Sequence, residues 1–234
     1  MLHSDEGFIL NRKAYGDTGF ILNIFTRSHG KRAFFMQGVR KKKKGSAALF
    51  QAFNLIQFTH YDGKGSLLRM KDPQVHPQLV QLYDSPPRAF ILQFLAELFS
   101  EILHDQEEHT VLFDACKHQL ITELKEEKFN PNLHLQLFCK LLFSLGISPQ
   151  LPDLINGKCF NLIEGEFQTR LSDSHILMSG ENSRYFYQFL KESQLDEIDG
   201  KHRLSLVNDL LKYLDAQCEW FRGTKSQNVL GEIL

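Results

Sequence analysis

The 234-residue chain has no stretch of eighteen or more apolar residues; the nearest, Phe90–Leu103, is interrupted by Gln93, Glu97, Ser100 and Glu101. That excludes a helical membrane span. The opening Met-Leu-His-Ser-Asp-Glu has no basic leader before an apolar core, so no secretory signal is expected. Cysteine is scarce. Cys116, Cys139, Cys159 and Cys218 lie at least twenty residues apart with no CxxC pair. A structural zinc site of paired cysteines is therefore not expected, and reduced thiols in a cytoplasmic protein are. GxxxxGK[ST], HExxH, GxSxG and GxGxxG are all missing, which leaves no signature of a common enzyme class. Gly63-Lys64-Gly65-Ser66 lacks the spacing of a phosphate loop. His104 and His109, near Asp105, Glu107 and Glu108, read as a solvated acidic helix junction rather than a metal site.

What the chain has is a globular composition, 42% hydrophobic and 24% charged, enough for one large domain or two modest ones. Its net charge of −1 hides a division. Residues 1–80 hold thirteen Lys/Arg against five Asp/Glu, a balance of +8, and residues 81–234 hold fourteen against twenty-three, a balance of −9. The basic part invites a phosphate-bearing ligand and the acidic part does not.

The first seventy residues read as short strands. Phe8-Ile9-Leu10 begins one and Tyr15-Gly16-Asp17 turns it. Phe20–Phe25 then reads as a strand buried on both faces, and Ser28–Lys31 turns into Arg32–Val39. Phe53–Tyr61, Asp62–Gly65 and Ser66–Met70 form a hairpin. Five strands joined by glycine turns predict a small closed barrel. From Pro86-Pro87 the period changes. Phe90, Ile91, Phe94, Leu95, Leu98, Phe99 and Ile102 make one helical face, and Glu108–Lys125, Leu133–Leu145, Ser183–Lys191 and Leu204–Leu214 continue the helical pattern. The fold class is α+β: an OB-type barrel over 1–80, then an α-helical domain over 81–234 with a short irregular insert near 150–170.

The strongest local feature is Arg40-Lys41-Lys42-Lys43-Lys44, five consecutive cations between the third and fourth strands. Arg12, Lys13, Arg27, Lys31, Arg32, Lys64, Arg69 and Lys71 lie on neighbouring strands and turns. OB barrels bind oligonucleotides across their second and third strands and adjoining loops, so these cations predict one nucleic-acid groove with salt-dependent affinity. The binding set selected is Arg12, Arg27, Lys31, Arg32, Arg40–Lys44, Lys64 and Arg69. Tyr15, Phe34, Phe35 and Tyr61 are candidates for base stacking, although alternation lets only one of Phe34 and Phe35 face outward. Neither catalytic residues nor a cofactor are expected. An RNA- or ribosome-associated barrel would use the same cations, and a nuclease would need metal-binding carboxylates in a pattern this sequence lacks.

The ordered set Gly7–Leu10, Tyr15-Gly16-Asp17, Ile24–Arg27, His29–Lys31 and Gln37–Arg40 resembles the RecO family of bacterial recombination mediators. Leu49–Phe53 occupies the place of the family's Leu-x-Pro-Phe, with Ala52 for proline, and Lys225–Leu230 is similar to its Lys-Ser-x-x-x-Leu ending. The resemblance implies an OB-fold followed by a helical domain, binding of single- and double-stranded DNA, and strand annealing. It implies as partners RecR and the acidic C-terminal tail of single-stranded-DNA-binding protein (SSB), with RecA loading as the outcome. A cytoplasmic, nucleoid-associated protein follows. Many members carry a four-cysteine zinc module; the corresponding stretch, about Leu154–Gln168, retains only Cys159, so the chain resembles the zinc-free branch. Lys117, Lys140, Arg184, Lys201 and Arg203 are possible rims for the SSB tail.

Overall fold

The computed structural model describes residues 2–37, 49–61, 63, 65–126, 128–169, 176–192, 197–227 and 230. Arg40–Lys44 and Lys64, selected above, lie outside them. Five strands close into a barrel: β1 (Leu2–Tyr15), β2 (Gly19–Thr26), β3 (Gly30–Met36), β4 (Leu55–Tyr61) and β5 (Leu67–Val75). The order around it is β1-β2-β3-β5-β4, with β1 closing on β4 and β3 parallel to β5. That is the expected OB-fold. After a 3₁₀ turn at Pro77–Leu79 come α1 (Pro86–Ile102), α2 (Thr110–Lys125) and α3 (Leu133–Ser144). A two-stranded hairpin, β6 (Lys158–Asn161) and β7 (Glu166–Thr169), then precedes α4 (Gly180–Lys191) and α5 (Gly200–Gln217).

Strand alternation sends Ile9, Leu22, Ile24, Phe34, Ile56, Phe58, Leu68 and Met70 into the barrel. Each such side chain contributes roughly 1.5–3 kcal/mol by leaving water. The opposite face of β1 and β2 carries Phe8 and Phe25, which meet helix residues Phe99 and Phe113 at ring separations of 4.9–6.0 Å. Phe53 completes this aromatic layer, stacked 4.8 Å from Phe8 and edge-on to Phe99. Its φ of 58° is left-handed, at a cost of about 1–2 kcal/mol that complete burial of the ring offsets.

Helices α1 and α2 thus belong with the barrel. The chain divides into compact units at 1–130 and 131–234, whereas the change of sequence period suggested a boundary at 80. The reason is the second apolar face of β1 and β2, which needs a cover. Gly30 makes that cover possible: its φ is +63°, and a Cβ there would sit 1.9 Å from the Glu107 carbonyl oxygen.

The second unit has its own core. Phe160 of β6 touches Phe167, Phe186 and Tyr213 at 4.9–5.0 Å, so aromatic packing holds the hairpin in the region where the resemblance would put a zinc module. Helix α4 is capped by Ser179, whose hydroxyl accepts from the Asn182 N–H, and α5 by Asp199, which accepts from the His202 N–H.

Candidate nucleic-acid interface

Cross-strand partners share a face of a sheet. The registers set Lys13 opposite Ile21, Ile21 opposite Phe35, and Phe35 beside Arg69. These four residues form one row across β1, β2, β3 and β5 on the outside of the barrel, because their neighbours Leu22, Phe34 and Leu68 point inward. The row spans up to about 14 Å at ordinary strand spacing.

Tyr15, two residues beyond Lys13, sets its ring edge-on to Phe35 with centroids 5.5 Å apart and is 55% exposed. Gly19 opposite Tyr15 is required by this arrangement, since a Cβ there would approach Phe35 Cε2 to 2.7 Å. Leu67, exposed on β5, extends the apolar centre. Past Arg69, the Lys71 ammonium lies 4.7 Å from the Tyr61 ring centroid and donates to the Tyr61 hydroxyl. The face therefore has an aromatic centre with cations at both margins. It can stack bases and hold phosphates without reading base edges.

Among the described residues, the selected cations Arg12, Arg27, Lys31, Arg32 and Arg69 do not gather on one face. Arg12 is exposed, but its row continues through Leu22 and Phe34, so it leaves β1 on the opposite side from Lys13. Its guanidinium sits 5.8 Å from the Phe20 ring centroid, beside a cleft of about 530 Å³ shared with Phe50, Tyr83 and Phe90. Arg27 grips Asp114 of α2 with two bonds, Nε to Oδ1 at 2.8 Å and Nη2 to Oδ2 at 2.9 Å. That pairing raises the Arg27 pKa and lowers that of Asp114. Lys31 is mostly buried; it donates to the Ser100 carbonyl at 2.9 Å and approaches Asp105 at 3.4 Å. Arg32 donates to the Gly65 carbonyl at 3.2 Å, and its buried Nε has no partner among the described residues. Of the selected cations among the described residues, Arg69 is the one on the aromatic face, its Nη2 3.5 Å from Gln37 Oε1.

Of the stacking candidates, Phe34 is fully buried and Phe35 faces out with Tyr15. Lys13 escaped the selected set because its value lies in its register. The tight turn after Tyr15 was the signal that could have paired it with Ile21.

The rims named for an acidic tail stand in different settings. Lys117 donates to both Glu6 oxygens at 2.8–2.9 Å, Lys140 pairs with Glu192, and Arg203 donates to the Ile198 carbonyl. Arg184 joins Lys158 and Ile155 around a cleft of about 310 Å³.

The family model described as "Recombination protein O N terminal" matches residues 1–76. The chain is 26% identical over 240 residues to the DNA repair protein RecO of Christiangramia forsetii, covering 100% of this chain and 99% of that protein. It is 28% identical over 243 residues to the DNA repair protein RecO of Phocaeicola vulgatus, again with 100% and 99% coverage. Against the DNA repair protein RecO of Bacteroides fragilis it is 28% identical over 181 residues, 75% of each chain.

Proposed function

We propose that the chain, similar along its whole length to DNA repair proteins RecO, is a DNA repair protein that binds single- and double-stranded DNA and acts as a mediator without catalytic turnover. The observation that carries this reading is the row Lys13, Ile21, Phe35 and Arg69 with Tyr15 on its edge. Aromatic side chains accept a base of any identity, and flanking cations neutralise the backbone, as sequence-independent strand handling requires. Arg40–Lys44 and Lys64 supply further phosphate contacts in this reading. Bringing two neutralised strands to one surface lowers their repulsion and raises their local concentration, which promotes annealing.

The partners of this reading are RecR, the SSB C-terminal tail and, downstream, the RecA filament, at the bacterial nucleoid in the cytoplasm. An acidic tail with an apolar end suits the cleft of about 310 Å³ where Arg184 and Lys158 stand beside Ile155. No helix among the described residues is long and apolar enough to cross a membrane.

Fluorescence anisotropy with a labelled single strand, across a salt series, tests the interface. Tyr15→Ala should weaken binding about tenfold, the scale of one stacked base. Replacing Lys41–Lys44 with alanine should flatten the salt dependence, by about 0.7 in slope for each phosphate that is no longer neutralised. Annealing of complementary strands, bare and SSB-coated, tests the mediator role. Preference for structured RNA over both forms of DNA would replace it with the RNA-binding alternative, and metal-dependent DNA cleavage by purified protein would replace it with a nuclease.

A further inference from the structure

The strongest feature outside the aromatic face lies at the end of the barrel where β1, β4 and the turn between β2 and β3 meet. Asp5 of β1, His29 of that turn and His60 of β4 each offer one ligand atom, all within 4.8 Å of one another. They come from three separate segments, so the fold rather than a local motif assembles them.

The cluster has the marks of a built site. The Asp5 side chain is 2% exposed, and its Oδ1 accepts the Glu6 N–H at 2.8 Å and the Ser28 hydroxyl at 3.2 Å. That leaves Oδ2 for His29 Nδ1, 3.1 Å away. A gap of this size suits a hydrogen bond, and it also suits two ligands on one edge of a tetrahedron with bonds of about 2.0–2.1 Å, whose edge is about 3.3 Å. The turn bearing His29 is itself held, because its N–H donates to Thr26 Oγ1 at 3.1 Å and that hydroxyl donates to the Gly30 carbonyl.

His60 supplies the independent observation. It is 2% exposed, beside the His29 ring at 5.5 Å and the His3 ring at 5.9 Å. Its Nδ1 lies 3.4 Å from the Tyr61 carbonyl, an acceptor that places the ring proton on Nδ1 and the lone pair on Nε2. That Nε2 is buried and has no hydrogen-bond partner among the described residues. A buried acceptor without a donor is costly, and a cation would relieve it.

We propose that Asp5, His29 and His60 bind a divalent transition-metal ion, zinc first among them, that ties the β2–β3 turn to β1 and β4. Two imidazoles and one carboxylate suit zinc and its neighbours, whereas calcium and magnesium demand sets made of oxygen. The His29 side chain is 41% exposed, which gives the ion access and leaves room for a water as fourth ligand. The proposal stands independently of DNA binding.

The test uses full-length, tag-free protein stripped with chelator, then titrated with Co²⁺ and Zn²⁺. The expected result is one Co²⁺ per chain with visible d–d bands and no thiolate charge-transfer band, displaced by Zn²⁺. Zn²⁺ should also raise the melting temperature by several degrees. His29→Ala, at an accessible position, should lower Zn²⁺ affinity at least tenfold and abolish that rise, while circular dichroism reports an unchanged fold. His60→Ala should do the same. Absence of bands and of any thermal shift in excess metal would overturn the assignment, as would thiolate bands or binding unaltered by either substitution.

Discussion

Residues 1–130 and 131–234 both bury aromatic clusters, but they use their charged groups differently. In the first unit Asp105, in the connection between α1 and α2, and Asp114 of α2 take Lys31 and Arg27 out of the strongly basic barrel segment. Lys13 and Arg69 instead stand on an open sheet face beside two aromatic rings. In the second unit Lys140 and Lys212 face Glu192 and Asp209. A buried His134 there is held neutral, its pKa pushed down to about 3 by loss of water and by Arg203 nearby. Formal charge therefore overstates what a segment can offer a polyanion. What matters is which cations remain unclaimed by carboxylates and carbonyls once the cover is in place.

The largest test breaks the cover itself. Gly30→Ala forces a Cβ against the Glu107 backbone at a left-handed position; it should destabilise the barrel unit by roughly 3 kcal/mol or more in urea unfolding. A second test separates the units by pH. The folded pKa of His134 lies below its ordinary 6.5. Its contribution is therefore complete above pH 6.5 and is lost as pH falls from there toward 3, at about 1.4 kcal/mol per pH unit. Stability measured between pH 7 and 4 should fall on that slope, and His134→Gln should flatten it.

The third test compares free with engaged cations. The double variant Lys13→Ala, Arg69→Ala should weaken single-strand binding about tenfold and reduce the salt slope by about 1.4. Lys31→Ala should leave the slope unchanged and lower the melting temperature. Asp114→Asn carries the smallest effect. It releases Arg27 and should tighten DNA binding by less than about threefold. The Asp114 pKa is lowered by Arg27, so the stability this exposed pair lends is present above the ordinary carboxylate range and disappears as pH falls through the folded value. The variant should lack that acid-side loss in thermal melts.

Most elements were legible because their signals are local. The i, i+4 spacing of Phe90, Phe94 and Leu98 marked α1, and glycine turns marked the barrel strands. The site was less legible. Alternation allowed only one of Phe34 and Phe35 to face out but could not say which, since that depends on the register of β3 with β2. Arg27 and Lys31 read as available in the sequence because their partners, Asp114 and Asp105, lie more than seventy residues away along the chain. The Asp5, His29 and His60 cluster had no spacing to betray it.

The sequence by itself determined the order of strands and helices and the charge division, because periodicity, turn chemistry and composition are properties of short windows. Only the tertiary structure decided which cations stay free, which aromatic rings meet solvent, and where three distant ligands converge. Those outcomes depend on strand register and on the helices laid over the barrel, and both are set by packing between residues that no local pattern links.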